Sequence, residues 1–299
     1  MIIKSDTVVY NMSPDNEPVV ECNSGDEVIF KTEDCFGGQI KSEDMILDSL
    51  DWDKINPATG PLKIKGADIG DVLKVSIKKI NLDDTGAMTT IPENGLLAKF
   101  LTGPETKLIK IKDNRAIFND KIKLPLNPMI GVIGVAPKDK DIPCGTPGAH
   151  GGNMDNKVIR EGTDVYFSVN VPGALLAMGD LHAVMGDGEV VICGVEIAGE
   201  VTVEVKIVKD VKIENPMVED DDAFYTVASA STVDKAVEKA SDDMFKFLEN
   251  RISLSANEIA MLMSLICDVQ ICQVVDPQKT ARMRISKKSL NNFNLTFNK

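Results

Sequence analysis

The chain has two histidines, His150 and His182, and both fall within residues 143–198, a stretch otherwise rich in glycine and carboxylates. Asp155 follows His150 in HGGNMD, and Asp180 stands two residues before His182 in GDLH. Asp187 and Glu189 come next, in the turn-like GDGE. Imidazole and carboxylate are the donors a Zn²⁺-type ion takes, and an ion left with an open position activates water. In a strand, Asp180 and His182 project from one face, because side chains alternate with a period of two. The candidate ligands are therefore His150, His182, Asp155 and Asp180, with Asp34 from the turn EDCFGG as a contributor from the N-terminal part. Two imidazoles favour zinc or a similar transition ion, with Ca²⁺ the second candidate.

Hydrolysis also needs a proton acceptor and donors for a developing oxyanion. Glu189, just past the turn at 186–188, is the candidate general base or proton shuttle; Asp187 and Asn153 are the other candidate catalytic groups. If that turn closes a hairpin, Glu189 starts a strand paired with the one bearing Asp180 and His182, and its carboxylate returns to the same end of the sheet. Gly151 and Gly152 are the candidate substrate and oxyanion positions, since glycine lets backbone amides approach a ligand closely. Each motif also has a plainer explanation: a glycine turn beside an exposed histidine, a hydrogen-bonded Asp–His pair, a hairpin turn at Asp187, a solvent-facing Glu189, a surface turn at EDCFGG. Cys35 and Cys144 are candidate nucleophiles, although neither has a base beside it in sequence.

The elements that must hold these residues are mostly strands. Short apolar or alternating runs bounded by turn residues predict strands at 7–10, 19–22, 27–32, 71–80, 164–171, 189–197 and 200–208, with a hairpin across 118–121. The last two strands meet at 198–199, which reads as a tight reversal. The helical signal is confined to 231–268: a capping-box-like start at Ser231, apolar residues at helical spacing, then a second start at Ser255 with Glu258. Strands return at 269–275 and 281–285, so the helical pair is an insertion near the end of a β fold. A Pro-, Gly- and charge-rich stretch at 137–147 suggests a division into an N-terminal β-rich region, 1–140, and a region 141–299 with the main motifs and the helical pair, unless the two pack as one unit.

The 299 residues hold 46 acidic and 33 basic side chains, a net charge of −13. That balance argues against binding nucleic-acid phosphates or anionic membranes. The N-terminus lacks the apolar core of a secretion signal, and the apolar runs are too short to span a bilayer. The six cysteines include no CxxC and fit reduced thiols in a cytoplasmic protein.

PGAHGGNMD, VPGALLAMGDLHAVMGDGEV and NPATGPLKIKGADIGDVLKVSI, with KTEDCFGG and QVVDP, resemble the acetamidase/formamidase family from about residue 28 to 277. The chain's length and its single tryptophan, Trp52, resemble the compact prokaryotic branch. The resemblance implies a mainly β, sandwich- or barrel-like fold with the C-terminal helical pair, a divalent metal, and a homodimer or larger assembly. It implies hydrolysis of a short aliphatic amide, of the formamide or acetamide type, to a carboxylate and ammonia. Two other readings stand beside it: a non-catalytic small-molecule or metal-binding protein of the same architecture, and an amidase working through cysteine.

Overall fold

Alternation of apolar and charged residues builds two long strands, Val72–Leu82 and Gly199–Val208, which pair antiparallel with Val203 opposite Ile77 and Val205 opposite Val75. The computed structural model describes residues 1–45, 49–293 and 295–297. Among these, the long pair lies inside a nine-stranded sheet ordered Ile2–Ile3, Glu27–Thr32, Gly199–Val208, Val72–Leu82, Asp164–Ser168, Met217–Glu219, Ala223–Ala230, Lys279–Ser286, Cys267–Gln273. A second sheet of eleven strands includes Ala58–Lys65, Thr85–Thr90, Met129–Gly134, Gly151–Asn153, Leu176–His182 and Glu196–Ile197. The two sheets share one core: Phe30, Val75 and Val203 from the first meet Leu62, Ile130 and Met178 from the second. Each such side chain contributes about 1.5–3 kcal/mol when removed from water.

The helices Val233–Glu249 and Ala256–Ile266 cover part of the outer face of the nine-stranded sheet, where Met244, Phe247 and Leu248 pack on Tyr166 and Phe224. Thr232 caps the first helix by accepting from the Lys235 amide, so the helix starts one residue later than the capping pattern at Ser231 suggests. Ser255 and Glu258 form the expected reciprocal box. The expected mainly β fold with a C-terminal helical pair is the one observed, and strands return after the helices as expected.

Two strand expectations are corrected. Residues 189–197 are not one strand; only Glu196–Ile197 pairs. Residues 198–199 are not a reversal within one sheet, because the chain there steps from the eleven-stranded sheet to the nine-stranded one. Gly199 permits the step: a Cβ there would lie 2.4 Å from the Asn81 carbonyl oxygen. Strands from either side of residue 140 pair directly within both sheets, as Gly199–Val208 does with Val72–Leu82 and Leu176–His182 with Met129–Gly134.

Candidate active site

The strand Leu176–His182 is buried along its whole length and presents Asp180 and His182 together, with Asp180 Oδ1 3.4 Å from His182 Nε2. The expected shared face is therefore observed. Across the ladder, His182 stands opposite Glu196, whose Oε1 is 3.1 Å from Nε2. Asp155 Oδ1 lies at 3.7 Å and Glu189 Oε1 at 4.0 Å from the same nitrogen. The hairpin does close, but at Glu196 rather than Glu189: the Ala183 amide bonds Val195, and the intervening residues form a loop that folds Glu189 back onto the site. Asp276, from the turn after the strand Cys267–Gln273, is buried facing Asp155, whose charge adds to burial in raising its carboxyl.

Asp155, Asp180 and Glu189 all adopt left-handed backbone, with φ of 39°, 55° and 46°. Such conformations cost on the order of 1–3 kcal/mol each and persist where the surroundings over-determine them, as at functional sites. Gly131 makes room on the neighbouring strand. A Cβ there would lie 2.5 Å from Asp180 Oδ2 and 2.6 Å from Asp155 Oδ1. Gly131→Ala should therefore leave the fold in place yet weaken cation binding by about 10–100-fold, the loss typical when ligands are re-aimed; titration of metal-depleted protein checks this.

Burial and Asp180 together push the Asp155 carboxyl up to about 6. Burial, with Asp155 beside it, raises Glu189 well above the usual carboxylate range, and burial likewise raises Glu196 and Asp276. Burial would hold His182 neutral, but Glu196 and Asp180 override it and keep the imidazole protonated. Asp180, although buried, is held low by that imidazolium. One imidazolium does not balance five buried acids. Both Asp155 oxygens, Asp180 Oδ1, Glu189 Oε2, Glu196 Oε2, Asp276 Oδ2 and His182 Nδ1 have no hydrogen-bond partner. Buried donors and acceptors left unsatisfied in this number fit a cation, since buried charges are otherwise paired or neutralised. Asp155, His182 and Glu189 offer atoms within 4.8 Å of one another, and so do Cys35, Asp180 and Glu196.

Cys35, Asp180, His182, Glu189, Glu196 and Asp276 line a cavity of about 350 Å³ with apolar walls from Phe36, Trp52, Ile55, Ile91 and Ile192, while Asp155 lies behind this lining. Volume and lining suit a small ligand with a polar head.

The Acetamidase/Formamidase family profile matches residues 3–143 and 141–286. The chain belongs to the acetamidase/formamidase family. A crystal structure of an acetamidase from Bacillus halodurans superimposes with a TM-score of 0.97 at 45% identity, covering 99% of this chain and 100% of that one. A predicted acetamidase/formamidase from Thermoanaerobacter tengcongensis gives 0.96 at 48%, covering 99% and 98%. The formamidase of Methylophilus methylotrophus is 29% identical over 66% of this chain and 63% of its own length. The chain spans about two thirds of the length of the curated relatives it matches.

Within this acetamidase/formamidase fold, four of the sequence-predicted residues come together: His182, Asp155, Asp180 and Glu189. Asn153 joins them as a cavity wall, its Oδ1 buried without a partner. His150 does not. Among the described residues it belongs to none of the groups able to hold an ion, and its charged neighbour is Lys140 rather than an acid. Asp34 serves its own turn, accepting from the Gly38 amide at 3.0 Å, while Cys35 and Phe36 from that turn reach the cavity instead. Asp187 accepts two hydrogen bonds from Arg282 and an ion pair from Lys157. Gly151 and Gly152 do not line the cavity; a Cβ on Gly151 would lie 2.2 Å from the Ile133 carbonyl, and its amide donates to Gly148. Glu196, Asp276 and Gly131 escaped the sequence reading. Glu196 was detectable only by fixing the register opposite His182, and Asp276 lies in the QVVDP string, which carries no chemical pattern of its own.

His150 is 3% exposed, with its pKa lowered by burial from 6.5 to about 4. A base with a depressed folded-state pKa is charged first in the unfolded chain, so stability is lost as pH falls from about 6.5 toward 4. The shift corresponds to about 3 kcal/mol at most. Denaturant melts of wild type and His150→Gln across that window should show a steeper acid decline in the wild type.

Proposed function

We propose that this chain hydrolyses short aliphatic amides of the formamide or acetamide type, releasing ammonia and a carboxylate, with a divalent cation held by Asp155, Asp180, His182 and Glu196. The observation behind this is the set of unsatisfied buried oxygens at the floor of a small cavity, in a chain of the acetamidase/formamidase family. When bound, the cation supplies Lewis-acid polarisation of the amide carbonyl and acidifies water. The single imidazole and the thiol of Cys35 favour Zn²⁺, and the oxygen-rich remainder makes Ca²⁺ the metal to test against it.

The chain's own residues do the rest. Glu189, with its raised pKa, accepts the proton of the attacking water and returns it to the departing nitrogen. The Asn153 carboxamide, whose Oδ1 is unpaired, orients the substrate amide. Phe36, Ile55, Ile91 and Ile192 exclude bulk water and cover the acyl group. Asp187, Gly151 and Gly152 support the site from outside the cavity.

A cysteine nucleophile is disfavoured on physical grounds. Burial pushes the Cys144 thiol up to about 12, and burial with Glu196 and Asp180 raises Cys35 well above its usual range. An activated thiol needs the opposite shift. The test is ammonia release from formamide and acetamide, with metal analysis and a chelator arm. Activity that survives complete metal removal would reject the cation. Bound metal without turnover on any amide would leave a non-catalytic binding protein.

Self-association into a homodimer or larger fits the apolar surface along the second helix, where Met261 is 66% and Leu265 81% exposed. Light scattering at micromolar concentration should give at least twice the chain mass. Among the described residues no helix is long and apolar enough to cross a membrane. Six free thiols suit a cytoplasmic location.

A further inference from the structure

Among the described residues Arg282 is the largest fully buried side chain, 2% exposed, and it rises from the Lys279–Ser286 strand of the sheet that does not bear His182. Its Nε donates to Gln270 Oε1 at 2.6 Å. One terminal nitrogen donates to Asn156 Oδ1 at 2.9 Å and to Asp187 Oδ1 at 3.0 Å, and the other to Asp187 Oδ2 at 2.8 Å. The first also contacts Cys272 Sγ at 3.6 Å.

Each partner sits beside a site acid. Asn156 directly follows Asp155. Asp187 precedes Glu189 by two residues. Gln270 and Cys272 lie on the Cys267–Gln273 strand, whose following turn supplies Asp276. Two of these segments are also tied to each other: the Gly188 amide bonds Cys272, and the Val274 amide bonds Gly188. Gln273 Oε1 then takes the amides of Val275 and Asp276, fixing the turn. The guanidinium is buried while the Asp187 side chain is 30% exposed; desolvating a charge in this way seldom adds net stability over apolar packing, so its use is best sought in placement. A guanidinium is planar and forked, and holds several acceptors at fixed angles where an ammonium cannot.

We propose that Arg282 is a positioning residue, a single clamp that sets the relative placement of the three segments bearing Asp155, Glu189 and Asp276. It touches none of these acids and acts only through the loops. The turnover arm of the test rests on the hydrolase reading; the exchange arm does not.

Arg282→Lys and Asp187→Asn are compared with wild type by site-resolved hydrogen exchange and by kcat and KM on the best amide. Arg282→Lys should exchange about tenfold faster at 153–160, 186–194 and 272–278 together, with the Val233–Glu249 helix unchanged. Asp187→Asn, which is isosteric and retains folding if the lysine variant does not, should loosen 186–194 most. In both, kcat should fall by about tenfold or more while KM moves little, as expected for misplaced catalytic groups. Unchanged exchange in the three segments, equal acceleration everywhere, or unaltered kcat with loosened loops would each overturn the clamp. A wild type that cleaves no amide defeats the hydrolase reading, and the exchange pattern then still decides whether Arg282 clamps the loops.

Discussion

Glu189→Gln should retain the fold and the bound metal and lose turnover by about 10²–10⁴-fold, the range general acid–base groups supply. Glutamine keeps the side-chain volume and one oxygen but cannot accept the proton of an attacking water. Of the four carboxylates around His182, Glu189 is the farthest from Nε2, at 4.0 Å against 3.1–3.7 Å for the others. It also rides on a loop rather than on a paired strand, which suits a group that must exchange protons. Metal content and thermal midpoint should match wild type. If kcat is near normal with metal bound, the base lies elsewhere, and Asp276 becomes the first alternative because it shares the cavity wall.

Removing the proposed cation should reverse the usual relation between pH and stability in this protein. Asp155 is raised to about 6, and Glu189, Glu196 and Asp276 are raised as well, so the folded metal-free chain holds protons that the unfolded chain has released. Where the native state binds more protons, stability falls as pH rises. The contribution of these groups in the metal-free protein should thus be fullest below about pH 4, the unfolded-state value, and should be lost steadily from there through pH 6 and above, against the smaller opposite contribution of His150. Asp155 alone corresponds to about 3 kcal/mol. Restoring the cation should flatten the profile above pH 6, because it compensates the charges directly, and should raise the melting temperature in proportion to metal concentration. Melts of chelated and reloaded protein between pH 5 and 8 measure this. A metal-free profile that rises over that range would show that the acids are not held as described.

The strands at 71–80 and 200–208, the helical pair and the family strings were plain in the sequence, because alternation, capping residues and long motifs are local signals; the strand Leu176–His182 was not among the predicted strands, since it is buried at every residue and shows no alternation. The sequence misled at residues 189–197. The apolar run VVICGVEIA has strand composition, but its first residues are spent on a loop held by contacts with residues 95–96 and 272, far away in sequence. His150 misled for a related reason: a histidine in a glycine-rich stretch looks exposed and available, yet the glycines there serve close approach between strands. Glu196, Asp276 and Arg282 act through pairings between distant segments, and no local pattern encodes a register.

The position of the Gly199–Val208 strand also bears on how the chain emerges from the ribosome. Glu27–Thr32 has Ile2–Ile3 on one side and waits for Gly199–Val208 on the other, with Thr32 and Gly199 separated by 167 residues. At usual synthesis speeds that delay lasts on the order of ten seconds, during which Glu27–Thr32, and later Val72–Leu82, present bare amide and carbonyl groups on the edges that Gly199–Val208 will join. Nascent chains halted before residue 199 therefore hold a sticky border that the finished protein conceals, and chaperone demand should peak in that interval.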